Sequence, residues 1–146
     1  MSKTLNKFLK ESGYISIKLV FLETKHYLIE AKLNDVNGRF ILDTGASTSC
    51  ICTSLENKFK VIANKSKEKA SSANSEMKHT KISEGNAIQI GKWNSKTSLL
   101  TFDMSHINYA LGEKEIKAVD GIIGSDILKK TNALVDYKLK KILLRY

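Results

Sequence analysis

The 146-residue sequence contains no proline and only two cysteines, Cys50 and Cys52. Cysteines one residue apart rarely bond to each other, and a chain of this length buries enough surface to fold without a disulfide. No stretch approaches the roughly 18 consecutive apolar residues of a transmembrane helix, and residues 1–8 lack the unbroken apolar segment of a secretory signal. These absences predict one cytoplasmic domain with neither a disulfide framework nor a membrane span.

Arginine is also scarce, because 22 of the 24 basic residues are lysine and only Arg39 and Arg145 are arginine. The net charge of +9 is concentrated in residues 58–81 and 129–146, each with a net charge of +5. Positive charge alone gives salt-dependent, non-specific affinity for nucleic acid, so a basic nucleic-acid-binding protein is one alternative. Lysine is poorly suited to bidentate reading of bases, and no basic motif with interspersed aromatic residues is present. Nucleic acid is therefore a disfavoured partner.

The sequence lacks the residue patterns of several common kinds of functional site. His26, His79 and His106 are scattered and lack metal-ligand spacing with the two cysteines. Ser47 and Ser49 have no nearby histidine–acid signature of a serine hydrolase, and no glycine-rich phosphate motif is present. We therefore expect neither a metal nor an organic cofactor, and we expect the cysteines to be small, half-buried side chains.

Alternation of apolar and polar residues dominates the first forty positions and predicts a mainly β protein. Asn37-Gly38 predicts a hairpin turn, since both residue types tolerate positive φ. Residues 60–84 are polar and predict a long loop or loose hairpin. One short helix is predicted to begin at Thr53, and a second, capped by Ser125 or Asp126, is predicted to extend through Lys130. Strands are predicted at 15–22, 27–33, 39–42, 49–52, 87–90, 97–102, 133–135 and 142–144.

The most informative segment is Phe40-Ile41-Leu42-Asp43-Thr44-Gly45-Ala46-Ser47. The end of a buried strand can hold the Asp43 carboxylate rigidly while the next turn aims backbone N–H groups at it. Gly45 permits close approach of another backbone, and Thr44 offers a hydroxyl that can orient the carboxylate. An Asx-type turn could also form from these residues without any catalytic role.

This segment resembles the active-site motif of the aspartic peptidases, in which two apolar residues precede Asp-Thr-Gly. Ile122-Ile123-Gly124 matches the family's second element, which passes beneath the catalytic loop. The setting of that element, residues 120–128, is similar to the version in bacterial retropepsin-like proteins. The resemblance implies a retropepsin-like acid-protease barrel with one or two short helices. It covers residues 13–146 as a single domain, with residues 1–12 as an N-terminal extension.

Pepsin-like enzymes carry two Asp-Thr/Ser-Gly motifs in one chain, whereas this chain has only one. The resemblance therefore implies an aspartic endopeptidase that works as a homodimer, joined through its termini and active-site loops, with one Asp43 from each copy. Two carboxylates within about 3 Å share a proton and activate a water molecule that attacks a polypeptide substrate. Thr44, Gly45, Ala46 and Gly124 are implied to support the site.

Retropepsins close over substrate with a glycine-rich flap, but the candidate flap here contains no glycine. It comprises Ser71, Ser72, Ala73 and Asn74. A third hypothesis keeps the fold without the chemistry: a dimeric interaction module in which Asp43 is vestigial.

Overall fold

The computed structural model describes residues 2–65 and 80–145, and most of their regular structure is β-strand. The elements in chain order are α1 (Ser2–Glu11), β1 (Tyr14–Lys18), β2 (Val20–Phe21), β3 (Tyr27–Leu33), β4 (Val36–Leu42), β5 (Cys50–Cys52), a 3₁₀ turn (Thr53–Leu55), β6 (Asn64–Lys65), β7 (Lys81–Ile90), β8 (Trp93–Phe102), α2 (Ser105–Glu113), β9 (Gly121–Ile123), α3 (Ser125–Lys130), β10 (Leu134–Asp136) and β11 (Lys141–Arg145).

Six strands close into a barrel in the order β3-β4-β9-β5-β8-β7, and β7 returns to pair with β3. Closure comes from the pairs Lys32↔Gln89 and Leu33↔Ile88. Strand β9 runs parallel to β4 and antiparallel to β5, so it lies between the two strands that flank the Asp43 loop. The inward-facing apolar residues of the barrel strands form the main core.

A second sheet of three strands, β1-β11-β10, packs against this core. Its central strand, β11, pairs with β1 on one side and β10 on the other. Ile142 and Leu144 of β11 are fully buried in the main core. The C-terminal strand is therefore an internal part of the domain.

The turn between β3 and β4 differs from the sequence prediction. Asn34 and Asp35 form the two-residue connection, and both have positive φ, 49° and 67°, as a type I′ turn requires. Asn37-Gly38 lies inside β4 instead. A Cβ atom at Gly38 would come within 2.7 Å of the Phe40 ring. The prediction of a turn at Asn37-Gly38 is wrong because tight packing against an aromatic ring, and not positive φ, requires this glycine.

The fold class is confirmed, and the chain forms three α-helices where one or two were predicted. Helix α3 ends at Lys130 as predicted, but its N-cap is Gly124 and not Ser125 or Asp126, and α1 and α2 did not stand out from the sequence. Helix α2 contains Gly112 and few strong helix formers, and Leu111 holds it against a second apolar cluster. In the described ranges no helix has both the length and the apolar character to cross a membrane.

Segment 60–84 is described only in part. It contributes β6 and the first residues of β7, which runs back along β8 for ten residues with one irregularity between Ser83 and Asn86. The candidate flap at Ser71, Ser72, Ala73 and Asn74 lies outside the described residues.

Substitution of Gly121 tests how tightly β9 packs against the backbone of β5. An added Cβ at Gly121 would overlap the Cys50 carbonyl oxygen and lie 3.1 Å from Ile51 Cα, and backbone atoms cannot yield easily. We expect Gly121→Ala to lower the free energy of unfolding by about 2–3 kcal/mol in urea titrations. The control is Gly112→Ala in α2, where no heavy atom lies within 4 Å. It should raise stability by about 0.5–1 kcal/mol. Equal effects of the two variants would contradict the packing argument.

Candidate active site

Asp43 follows β4 at the barrel rim, and backbone hydrogen bonds fix its position. Its amide donates to the Ile123 carbonyl at 3.0 Å, and its carbonyl accepts from the Ala46 amide at 3.2 Å. The Gly45 amide donates to Asp43 Oδ1 at 2.9 Å. The carboxylate is exposed and held by a donor from its own loop. The strand end therefore positions a reactive group toward solvent.

Gly124 lies directly beneath this loop. An added Cβ would overlap the Ala46 carbonyl oxygen and come within 3.2 Å of the Ala46 side chain. The next amide, of Ser125, donates to that carbonyl at 2.7 Å. Ala46 and Gly124, which belong to the two sequence motifs and lie 78 positions apart, are thus in direct backbone contact, and only glycine fits at the crossing.

A buried polar network ties three segments together behind the loop. Ser49 is only 3% exposed. Its hydroxyl donates to Asp126 Oδ1 at 2.7 Å and accepts from the Gly124 amide at 2.9 Å. The Ser49 amide donates to Asp126 Oδ2 at 3.0 Å. The loop after Asp43, the glycine element and α3 are therefore linked through one hydroxyl.

Sequence reasoning weighed Ser49 only as a hydrolase nucleophile and missed this role. The available signal was a hydroxyl residue at the start of a buried strand together with a carboxylate in the first turn of the helix after Gly124. The sequence does not indicate that these two residues bond to each other, because Ser49 and Asp126 lie 77 positions apart.

The other five aspartates do not provide a second carboxylate beside Asp43. Asp120 accepts from a β4 backbone amide at 2.8 Å. Asp103 and Asp136 each accept from an amide in their own turn, and Asp126 is engaged by Ser49. Asp35 lies in the turn at the far end of the β3–β4 hairpin. Within the described residues, the chain brings one aspartate to this rim.

Two grooves meet at Asp43. One, of about 300 Å³, is lined by Tyr27, Val135 and Tyr137 beside the Asp43-Thr44 loop. The other, of about 280 Å³, lies between Asp43 and α2 and has a largely apolar wall. Asp43 is common to both grooves.

The two cysteines are buried instead of half-buried. Burial raises the pKa of Cys50 to about 12, so its thiol stays protonated at neutral pH. A protonated, buried thiol is a poor nucleophile and a poor metal ligand. No cluster with metal-binding potential occurs among the described residues.

A model of the family described as aspartyl protease matches residues 29–127, which include Asp43 and Gly124. The match extends over more than half of the chain. The chain belongs to this family. The sequence matches no curated protein closely enough to identify a relative.

Comparison with solved structures confirms the retropepsin-like fold. A retropepsin-like aspartic protease from Rickettsia conorii aligns with a TM-score of 0.59 and 19% identity, covering 90% of each chain. The EIAV protease, complexed with the inhibitor HBY-793, aligns with a TM-score of 0.54 and 21% identity over 76% of this chain and 92% of its own. The retroviral protease-like domain of Ddi1 from Leishmania major gives a TM-score of 0.50 and 15% identity over 76% and 81%. At these identities the similarity concerns the fold.

The buried hydrogen bonds of Ser49 predict that removing its hydroxyl oxygen lowers the stability of the fold substantially. Ser49→Ala leaves the Gly124 amide without its acceptor and Asp126 without a hydroxyl donor. We expect it to lower the free energy of unfolding by about 2–3 kcal/mol, followed through fluorescence of the buried Trp93 in urea. Ser98→Ala, at an exposed position of β8, is the matched control and should change stability by less than about 0.5 kcal/mol. A Ser49 variant as stable as the Ser98 variant would show that the network contributes little.

Proposed function

We propose that this protein is an aspartic endopeptidase whose active form is a homodimer, with Asp43 of each copy at one shared site. The observation that carries the proposal is the exposed Asp43 carboxylate, held by the Gly45 amide at the junction of two grooves. Membership of the aspartyl protease family supports the same chemistry. The substrate is a polypeptide lying across both grooves.

The chemistry follows from bringing two such carboxylates together. At about 3 Å separation both cannot be ionised, so the pair shares one proton and titrates as a unit. The ionised carboxylate takes a proton from a water molecule, which attacks the scissile carbonyl carbon. The protonated carboxyl group donates a hydrogen bond to the carbonyl oxygen. When the tetrahedral intermediate collapses, the amide nitrogen leaves with a proton from the pair, and no acyl-enzyme forms.

We assign supporting roles to four residues around Asp43. Gly45 holds the carboxylate through its amide, while Ala46 and Gly124 form the backbone crossing beneath the loop. Thr44 is exposed, and its hydroxyl has no hydrogen-bond partner in the described part of its own chain. In the dimer it is free to bond to the loop of the second copy.

The dimer surface that we propose combines the Thr44 loop with the outer edge of β10. Strand β11 is bonded to neighbours on both sides, so it has no free edge for pairing with a second copy. Strand β10 is one of the two edges of its sheet, and β1 is the other. A groove of about 440 Å³ lined by Thr44, Leu128 and Val135 connects the loop to this edge. Pairing of two β10 edges would satisfy their backbone groups.

We retain residues 13–146 as the peptidase domain and residues 1–12 as an N-terminal extension. Helix α1 of the extension contacts β1, and Lys141 donates to Asn6 Oδ1 at 3.0 Å. The extension therefore lies on the three-stranded sheet and outside the barrel.

Removal of the proposed base is the direct test of catalysis. Asp43→Asn keeps the shape of the side chain but cannot accept the proton of water. We expect a loss of at least about 10³-fold in kcat/KM against an unstructured peptide pool, with an unchanged circular dichroism spectrum. Asp35→Asn is the matched control, because asparagine tolerates the positive φ of that turn, and it should retain full activity.

Two outcomes would overturn this proposal. Cleavage retained by the Asp43 variant would remove Asp43 from the mechanism. A wild-type protein that forms dimers but cleaves no peptide between pH 3 and 7 would support the catalytically silent interaction module instead.

The shared site predicts that specific activity depends on protein concentration. We expect it to fall on dilution in parallel with dimer dissociation, measured by sedimentation velocity. Leu134→Lys places a charge on the exposed β10 edge and should raise the dissociation constant by about tenfold or more. Leu139→Lys, in the same hairpin and similarly exposed (46% against 43%), should leave it unchanged. Constant specific activity of a strict monomer would contradict the shared-aspartate mechanism.

A further inference from the structure

Basic residues line the grooves that meet at Asp43 although the sequence shows no local basic cluster there. Lys25, His26 and His106 line the two grooves that meet at the carboxylate. Asp43 is the only acidic residue among the lining residues of these grooves within the described part of the chain. A third groove, which shares Thr44 with the first, adds Lys129. A substrate therefore approaches Asp43 past these basic side chains.

The position of His26 is fixed by a tight turn between β2 and β3. The Leu22 amide donates to the His26 carbonyl, and the Lys25 amide donates to the Leu22 carbonyl, both at 2.8 Å. His26 Nδ1 lies 2.9 Å from the Thr24 hydroxyl. That hydroxyl can donate to a neutral ring or accept from a protonated one. In either state the second ring nitrogen, Nε2, is left to bond to a group in the groove.

His106 lines the same groove as His26, from the first turn of α2. Asp103, just before this helix, interacts with the charge of His106. The Ser105 amide donates to Asp103 Oδ1 at 2.9 Å, and this bond holds the pKa of the Asp103 carboxyl below its usual range. Asp103 does not line the groove, so its negative charge does not occupy the space between the histidines.

The groove that His26 and His106 share is otherwise largely apolar. Its lining includes Ile41, Ile107, Leu111 and Ile122. A glutamate side chain suits this combination, because its methylene groups can contact the apolar lining while its carboxylate reaches the imidazole rings.

We propose that His26 and His106 are specificity-determining residues that bind the carboxylate of an acidic residue next to the scissile bond of a peptide substrate. The proposal rests on the peptidase function argued above and names its substrate class. Lys25, which lines the adjacent groove, adds a positive charge that also attracts the substrate carboxylate.

The experiment uses two peptides that differ only by glutamate or glutamine beside the scissile bond. It is run at pH 5.5, where ordinary imidazoles are protonated and ordinary carboxyl groups are ionised. Binding is measured by fluorescence anisotropy on the full-length Asp43→Asn variant, at a concentration where it is dimeric, and kcat/KM is measured on the wild type. We expect about fivefold preference for the glutamate peptide in both measurements.

The decisive variant is His26→Gln/His106→Gln, which should bring the glutamate-to-glutamine ratio to about one. Lys92→Gln/Lys96→Gln removes two positive charges from the exposed β7–β8 hairpin and should keep the ratio at its wild-type value. A preference retained in the histidine variant, or abolished equally in the lysine control, overturns the assignment. So does the absence of any preference in the parent protein.

The substrate proposal and the peptidase proposal fail in different ways. Equal cleavage of both peptides leaves the peptidase intact and removes the acidic preference. Selective binding of the glutamate peptide without cleavage by wild type supports the carboxylate site and removes the peptidase activity.

Discussion

The crossing of two backbones at Gly124 and Ala46 is the contact on which the site depends. No side chain fits between the glycine and the Ala46 carbonyl, and the Ser125 amide bonds to that carbonyl directly. At the other end of β9, Gly121 approaches the Cys50 backbone in the same way. Strand β9 is thus held at both ends by close backbone contacts. Because β9 joins β4 to β5, the Asp43 loop is attached to the rigid part of the barrel.

Two buried polar networks brace the barrel at separate places, and only one serves the site. Ser49 and Asp126 secure the loop after Asp43. Elsewhere, Asn34 bonds to Asn86 Oδ1 and to the Phe59 carbonyl, which secures the β3–β4 turn against β7. Both networks connect segments far apart in sequence, and unsatisfied members would be costly inside the barrel. The first therefore positions an exposed carboxylate, while the second maintains the closure of the sheet.

The basic residues around Asp43 are mostly not the ones that give the chain its high net charge. Most of the excess positive charge lies in residues 58–81 and 129–146. The basic residues beside Asp43 are chiefly Lys25, His26 and His106, which lie on a hairpin turn and a helix. The net charge read from composition therefore does not describe which side chains lie beside the Asp43 carboxylate.

Local sequence determined the features that depend on neighbouring residues. Strand alternation specified β3, the residues after Gly124 specified α3, and the motif at Asp43 with its partner at Gly124 identified the family and the fold. The turn at Asn34-Asp35 was missed because Asn37-Gly38 has the stronger turn composition, and only the Phe40 ring explains that glycine. Helices α1 and α2 owe their stability to packing more than to propensity.

The Ser49–Asp126 bond joins residues 77 positions apart, and one groove beside Asp43 is lined by both His26 and His106, 80 positions apart. No local pattern records either arrangement. Tertiary structure alone decided these arrangements, because they exist only once β9 has brought the two halves of the barrel together.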